Sequence, residues 1–211
     1  MYENVIKRAL DIVLSTLVMA LLSWVYLLCA AAVYLDDPGP IFFAQKRVGK
    51  NKKLFKLYKF RSMKMSTPHD TPTHLLENPE QYITRVGRFL RKSSMDELPQ
   101  FWNILNGSMS LIGPRPALWN QKDLIEERDR CGANEVRPGL TGWAQINGRD
   151  ELEIAEKARL DGDYVARLRK GGLTAFAMDT RCFFGTVLSV LRHEGVVEGG
   201  TGEIKKKAEK R

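Results

Sequence analysis

The chain has 211 residues, a length that suits one domain of ordinary size and argues against two independent cores. Lysine and arginine total 33 against 25 acidic residues, a formal net charge of +8, so the partners that charge favours are anions: phosphates, acidic lipid headgroups or nucleic acid. The three cysteines, Cys29, Cys131 and Cys182, have no CxxC spacing, which argues against a disulfide framework and favours reduced thiols.

The first predicted element is an apolar N-terminal segment. No charged residue occurs from Ile12 to Leu35, and at a helical rise of about 1.5 Å per residue this run would cover the hydrocarbon core of a bilayer, about 30 Å. We therefore expect residues 1–36 to form a membrane-embedded helix. A cleavable signal peptide is the competing interpretation, but the apolar region of such peptides is typically only about 7–15 residues.

Basic residues flank this segment on both sides. Lys7 and Arg8 precede it, and a lysine-rich stretch follows Asp36-Asp37. Positive charge marks the cytoplasmic side of a membrane, so the symmetry favours a re-entrant helical hairpin over a spanning helix. Such a hairpin needs a break near Ser23-Trp24, although neither residue is a strong helix breaker.

A short cationic β-hairpin is predicted next. Prolines end the helix after Asp37, residues 41–43 and 54–60 have the pattern of strands, and lysines line the second strand. These lysines could face the bilayer surface, or simply protect a solvated edge. Residues 66–79 are expected to form a loop.

The remaining chain is predicted to be helical over residues 80–92, from about 94 to 105, and over 119–130, 151–169 and 173–191. Asn106-Gly107 is a good helix C-cap. The last helix is amphipathic, and its apolar face could pack in the core or lie in the plane of a membrane. The predicted fold is mainly α with small β-hairpin elements (α+β) and amphipathic interfacial helices, with a cytoplasmic domain over 37–198 and a disordered basic tail over 199–211.

Asp96 and Glu97 lie side by side at the predicted start of the second of these helices. Neighbouring helical residues point about 100° apart, so we expect the two carboxylates to have different roles and not to share one atom. In a basic phosphoryl-transfer site those roles are a nucleophile and a Mg²⁺ ligand. Spacing alone favours another interpretation, in which Ser94-x-x-Glu97 is a capping box and the acids only stabilise a helix start.

Two later segments carry signals for phosphate binding. Residues 113–116 hold Arg115 between two prolines, which suits a bidentate grip on phosphate, although a plain surface loop is an equal alternative. Residues 137–149 combine glycines, where backbone can approach a ligand, with an Asn-Gly turn and an arginine at each end.

Taken together, these motifs resemble the bacterial sugar transferase family, the monotopic phosphoglycosyl transferases, in its small form with little beyond the catalytic domain. The resemblance runs in order from the apolar segment to about Gly195 and rests on residues 36–43, 45–49, 58–63, 84–92, 96–100, 113–116 and 137–149. It implies transfer of a sugar-1-phosphate from a UDP-sugar to a polyprenyl phosphate at a membrane interface.

The resemblance also implies roles for individual residues. Asp96 would be the nucleophile that takes the phospho-sugar and releases UMP, and Glu97 would be a ligand of the Mg²⁺ cofactor. The polyprenyl phosphate would then attack the covalent intermediate. The basic residues that would bind phosphate or nucleotide are Lys59, Arg61, Arg91, Arg115 and Arg149.

The same resemblance implies a place in the bacterial inner membrane, with the catalytic domain facing the cytoplasm and no nucleic-acid partner. A homo-oligomer is left open, and no residue indicates which sugar is used. One departure is that the family usually has Ser-Pro where this chain has Ser23-Trp24, which weakens the expected re-entry. The alternative function is a membrane-anchored protein that binds acidic lipid or nucleic acid without catalysis.

Overall fold

A computed structural model describes residues 2–67, 79–148 and 152–192. The fold is mainly helical with a few short strands, which confirms the α+β prediction. The predicted basic tail and most of the loop predicted over 66–79 lie outside the described residues. In chain order the elements are α1 (Lys7–Leu21), α2 (Ser23–Asp36), β1 (Phe42–Val48), β2 (Leu54–Phe60), α3 (Arg85–Lys92), α4 (Gln100–Leu105), β3 (Ser110–Ile112), α5 (Lys122–Arg130), β4 (Gly139–Thr141), α6 (Trp143–Ile146), α7 (Ile154–Lys170) and α8 (Gly172–Arg192).

Helices α1 and α2 form a bent pair. They meet at Leu22 at an angle of 63°, so the break predicted near Ser23-Trp24 is present. The Leu22 amide still donates to Val18 O and the Leu22 carbonyl still accepts from Tyr26 N. In the described parts of the chain no single helix is long and apolar enough to cross a membrane; the bent pair qualifies only when taken together.

Helix α1 turns its polar side chains towards the protein. Lys7, Asp11 and Ser15, spaced four residues apart, are buried, whereas Val13, Leu17 and other apolar residues of α1 are exposed. Asp11 Oδ1 accepts hydrogen bonds from Leu111 N at 2.9 Å and from Ser110 Oγ at 3.1 Å. Outside a lipid environment the opposite arrangement is usual, with the apolar stripe facing the core.

Both ends of the bent pair are bound to the rest of the protein. At its start, Lys7 Nζ lies 2.9 Å from Asp179 Oδ2 of α8. At its end, Asp36 Oδ2 accepts a 2.8 Å hydrogen bond from Val86 N of α3. Residues at the two ends of this N-terminal segment therefore both contact the domain that follows it, one through α8 and the other through α3.

Strands β1 and β2 form the predicted antiparallel hairpin, paired from Phe42–Phe60 to Val48–Leu54. Strand β1 is longer than predicted, because pairing continues past Phe43 to Val48. The buried Phe60 and Leu90 join β2 and α3 to α2 in one apolar cluster. The hairpin thereby rests between the bent pair and the following helices.

Two helices begin four or more residues after their predicted starts. Helix α3 begins at Arg85 and not near 80, because Pro79–Tyr82 form a separate 3₁₀ turn and Thr84 Oγ1 caps the helix by accepting from Gly87 N at 2.8 Å. Helix α4 begins at Gln100, after a 3₁₀ turn of Met95–Glu97. The predicted end of α4 is confirmed, with Asn106 as C-cap and Gly107 left-handed at φ 85°.

The main core lies where α7 and α8 pack against each other and against β3, which runs parallel to β4. On α8, Ala175, Met178 and Cys182 face this core. The predicted apolar face of α8 points away from it, since Leu173, Phe176, Phe183, Phe184, Val187 and Leu188 are all exposed. Core packing is therefore the wrong explanation for that face, and Asp179, expected on the polar side, is buried.

Candidate active site

The acidic pair lies in the 3₁₀ turn between α3 and α4, beside β2. Ser94 precedes the turn in the left-handed region, at φ 56°, and its side chain makes no capping hydrogen bond. The capping-box prediction is therefore wrong: a Ser-x-x-Glu pattern needs an extended N-cap residue in front of a continuous helix. Asp96 is only 7% exposed and so needs another reason to be there.

Lys59, near the end of β2, contacts both carboxylates. Its Nζ lies 2.8 Å from Glu97 Oε1 and 3.4 Å from Asp96 Oδ2. The expectation that the two acids could not share one atom is thus wrong, because the turn is not α-helical and the long lysine side chain reaches between them. The two acids and Lys59 form one electrostatic unit.

Arg115 binds the same oxygen of Glu97 as Lys59 does, with Nη2 2.6 Å from Oε1. Arg115 belongs to the loop between β3 and α5, so two distant parts of the chain, β2 and this loop, converge on Glu97. Among the predicted phosphate-binding residues, Lys59 and Arg115 are therefore in direct contact with the acidic pair.

The other predicted basic residues are placed differently. Arg91, on the last turn of α3, donates from Nε to Ser62 Oγ at 2.8 Å, and its charge lowers the pKa of Asp96. Arg61 is buried and binds Asp37, with Nη1 2.6 Å from Oδ2, so it fixes the end of α2 to β2. Arg149 lies outside the described residues.

The environment separates the two acids electrostatically. Burial raises the pKa of Asp96, and Glu97 adds to this effect while Lys59 opposes it. Burial would also raise the pKa of Glu97, but Arg115 and then Lys59 hold it well below its usual range. The two adjacent carboxylates thus differ: the pKa of the buried Asp96 is raised, whereas the low pKa of Glu97 favours its ionised form.

Arg47 is a residue at the site that the sequence interpretation missed. Burial, followed by repulsion from Arg115, lowers the pKa of Arg47 to about 10, and Glu97 opposes this shift. Its Nη1 donates to Pro116 O at 3.0 Å and its Nη2 to Gln45 Oε1 at 2.7 Å. Strand alternation could have found it, because Phe43, Gln45 and Arg47 share the less exposed face of β1, but the strand was predicted to end at Phe43.

The donor set suits a Mg²⁺ ion that is completed by substrate. In the three described ranges, no three His, Cys, Asp or Glu side chains cluster as a protein-only metal cage would need. Mg²⁺ commonly binds one or two carboxylates together with substrate phosphates and water. Glu97 is ionised, and both of its cation contacts fall on Oε1, which makes it the better ligand of the two acids.

The site places three cations, Lys59, Arg91 and Arg115, around two carboxylates. An excess of positive charge of this kind attracts anions such as phosphates. A carboxylate with raised pKa is also the more basic nucleophile. In this arrangement a carboxylate can attack phosphorus, and the neighbouring cations can neutralise charge on phosphate oxygens.

Known proteins are similar to this chain over most of its length. It is 47% identical over 172 residues to the UDP-glucose:undecaprenyl-phosphate glucose-1-phosphate transferase of Escherichia coli, covering 77% of this chain but 36% of that protein. A UDP-N-acetylgalactosamine-undecaprenyl-phosphate N-acetylgalactosaminephosphotransferase of Aeromonas hydrophila is 42% identical, over 67% of this chain and 34% of its own length.

A smaller relative is the uncharacterized sugar transferase EpsL of Bacillus subtilis, 39% identical over 192 residues, which are 91% of this chain and 90% of EpsL. The chain therefore spans about a third of the first two relatives and nearly all of the third. The bacterial sugar transferase family matches residues 2–193. The chain belongs to the bacterial sugar transferase family.

Proposed function

We propose that this protein transfers a sugar-1-phosphate from a UDP-sugar to undecaprenyl phosphate and releases UMP. The observation that carries the proposal is the buried Asp96 beside an ionised Glu97, enclosed by Lys59, Arg91 and Arg115. The names of the E. coli and A. hydrophila relatives describe the same class of reaction with two different sugars.

Asp96 is the proposed nucleophile. One of its carboxylate oxygens attacks the phosphorus that carries the sugar, the bond from that phosphorus to the bridging oxygen breaks, and UMP leaves with the electron pair. An oxygen of the lipid phosphate then attacks the same phosphorus and frees Asp96. The raised pKa of Asp96 favours the first attack, since the more basic carboxylate is the better nucleophile.

The basic side chains bind and orient the phosphates. Arg115 offers a planar guanidinium at the edge of the site, and Lys59 offers a single ammonium between the two acids. Glu97 would hold Mg²⁺, which when bound neutralises charge on the phosphate oxygens. The low pKa of Glu97 keeps it ionised for this role at neutral pH.

A membrane position accounts for the bent pair and α8. Apolar side chains of both are exposed on the protein surface, among them Leu17, Trp24, Leu28, Phe183 and Phe184. We place these surfaces in the cytoplasmic leaflet of the inner membrane, with the bent pair re-entrant, because both of its ends bind the same body. The catalytic domain then faces the cytoplasm, where UDP-sugars are dissolved.

Single cysteines test this topology. Asn4 and Arg159 are exposed near the start of the bent pair and on α7, so Asn4→Cys and Arg159→Cys, each in a protein without Cys29, Cys131 and Cys182, should react equally with an impermeant maleimide added from the cytoplasmic side. Labelling of the Asn4→Cys protein only from the opposite side would contradict the re-entrant arrangement.

The activity is tested by UMP release from a panel of UDP-sugars with undecaprenyl phosphate and Mg²⁺. The parent should turn over at least one donor, and Asp96→Asn should abolish both UMP release and a covalent sugar-phosphate adduct. Asp163→Asn, the same change at a residue of α7 whose side chain is 46% exposed, is the control. No turnover with any donor would favour a binding protein, whereas full turnover by Asp96→Asn would contradict the covalent mechanism.

A further inference from the structure

The loop that carries Arg115 is held by an unusual run of backbone contacts. Its four consecutive carbonyls, from Pro114 to Ala117, each accept a hydrogen bond from a different donor. The donors are Gly139 N at 2.9 Å, Arg128 Nη1 at 2.8 Å, Arg47 Nη1 at 3.0 Å and Val48 N at 3.0 Å, in that order. Because Pro114 and Pro116 have no amide hydrogen, their carbonyls are the only backbone groups through which these two residues can form hydrogen bonds.

The contact to Arg115 itself comes from a buried ion pair. Arg128 of α5 donates from Nε at 2.9 Å and Nη2 at 2.6 Å to Asp161 Oδ2 of α7, and this leaves Nη1 directed at Arg115 O. The side chains of Arg128 and Asp161 are 3% and 1% exposed. One planar guanidinium therefore connects α7 to the backbone of a residue that binds Glu97.

Stability alone does not explain this pair. Removing two charges from water is costly, and well-packed apolar side chains of similar volume usually stabilise a core as well or better. Asp161 Oδ1 is buried and finds no hydrogen-bond partner within the described structure, so the ion pair satisfies only one oxygen of this carboxylate. What apolar residues could not supply is the hydrogen bond to Arg115 O.

We propose that Arg128 and Asp161 are positioning residues that set the direction of the Arg115 guanidinium towards Glu97 and the substrate phosphate. This inference rests on the proposed function for its catalytic meaning. Arg128 touches no reacting group; it acts through the Arg115 carbonyl, 2.8 Å away. The charged helix α5, which has no evident role in the sequence, thereby gains one.

The decisive variant replaces both charges by apolar side chains of similar combined size, Arg128→Met with Asp161→Val. The thermal midpoint should match or exceed that of the parent, because no uncompensated charge is left. Hydrogen exchange at the amides of Arg115, Ala117 and Leu118 should nevertheless become faster, since the loop has lost one anchor. Arg130→Met, on the exposed face of the same helix, should change neither property.

Activity is then compared in two backgrounds. In the parent, the double replacement should lower kcat/KM for the UDP-sugar about ten- to a hundredfold, as displaced positioning groups typically do. Part of this loss should be a raised KM, whereas partial unfolding would lower only the apparent kcat. With Arg115→Ala already present, the same replacement should have almost no further effect.

The outcomes separate this inference from the proposed function. An inactive parent contradicts the proposed function, and unchanged exchange at the amides of Arg115, Ala117 and Leu118 contradicts the positioning role independently of turnover. In an active parent, equal losses with and without Arg115 would mean that Arg128 and Asp161 act only on stability or through another residue. That result would overturn the inference.

Discussion

Lys59 binds Glu97 through a 2.8 Å contact between Nζ and Oε1, although the two residues are 38 positions apart in the chain. The same ammonium lies 3.4 Å from Asp96 Oδ2. The β-hairpin thus does more than present positive charge to a surface, because it places one cation between the two acids and lowers the pKa of both.

The first prediction concerns the charge of the acidic pair. Lys59 stabilises the ionised forms of Asp96 and Glu97, so Lys59→Met should raise both pKa values. Asp96 should move further above its ordinary range, and Glu97 should stay the lower of the two because Arg115 remains. The measurement is a ¹³C NMR titration of the side-chain carboxyls without added metal.

Lys56→Met on the same strand is the matched control, since Lys56 is exposed. It should leave both titrations unchanged, apart from a small long-range effect that salt removes. Equal shifts in the two variants would mean that Lys59 has no specific contact with the acids in solution.

The second prediction concerns Asp179 of α8, which holds the start of the N-terminal segment. Its carboxylate accepts from Tyr2 and Tyr164 hydroxyls at 2.8 Å each and pairs with Lys7. Asp179→Asn removes the charge that compensates the buried Lys7, and loss of one partner of a buried ion pair typically costs about 3–5 kcal/mol. Unfolding in detergent by circular dichroism measures this loss.

Two companion variants identify the cause of that destabilisation. Asp163→Asn, where the partner Arg159 is exposed, should leave stability almost unchanged. Adding Lys7→Met to Asp179→Asn should recover part of the loss, because the unpaired charge is gone. No recovery would mean that the loss comes from the Asp179 hydrogen bonds, or that Lys7 is needed for its charge interaction with the buried Asp11.

Local patterns in the sequence predicted several elements correctly. Alternation of apolar and basic residues located β2, and helical spacing located α7 and the end of α3. The amphipathic face of α8 was also found, but periodicity identifies a face without saying what covers it. The structure turns that face outward and buries Asp179 with Lys7, a partner 172 positions away.

The acidic pair shows why the contacts of the site could not be predicted from the sequence. Ser94-x-x-Glu97 satisfies the capping pattern, yet whether Ser94 is extended or left-handed depends on how α3 ends and α4 begins, which no four-residue pattern contains. Lys59 and Arg115 come from distant strands and loops, and Arg128 reaches Arg115 through its backbone. Contacts to carbonyl groups leave no sequence signal at the accepting residue.

The third prediction concerns the packing of α3 on the segment after β2. A Cβ on Gly87 would lie 2.0 Å from Ser62 O, so Gly87→Ala must push α3 away from that backbone. The cost of such overpacking is typically about 1–3 kcal/mol, whereas helix propensity alone would make alanine more stable by about 1 kcal/mol. The sign of the change in thermal stability therefore shows whether overpacking or helix propensity has the larger effect.

The same displacement should reach the active site. Arg91 lies one turn further along α3 and binds Ser62 Oγ at 2.8 Å, so a shifted helix carries this arginine away from Asp96. UMP release by Gly87→Ala should fall more than stability alone explains. Phe89→Ala, at a 61% exposed position of the same helix, serves as the control; an unaltered rate in Gly87→Ala would show that α3 tolerates the shift.

The last prediction concerns the break at Leu22. Trp24 is the second residue of α2, where a backbone amide has no acceptor within the helix, and Ser23 is a favoured N-cap residue. In Trp24→Pro the helix can begin at the proline with Ser23 as its cap, so the bend is kept. We expect unchanged turnover and a stability that is equal or higher by up to about 1 kcal/mol.

Leu14→Pro in the middle of α1 should instead cost about 3 kcal/mol or more, because an internal hydrogen bond is lost. If Trp24→Pro proved as damaging as Leu14→Pro, the two helices would have to be continuous in the membrane, and the re-entrant arrangement would fall with the bend at Leu22.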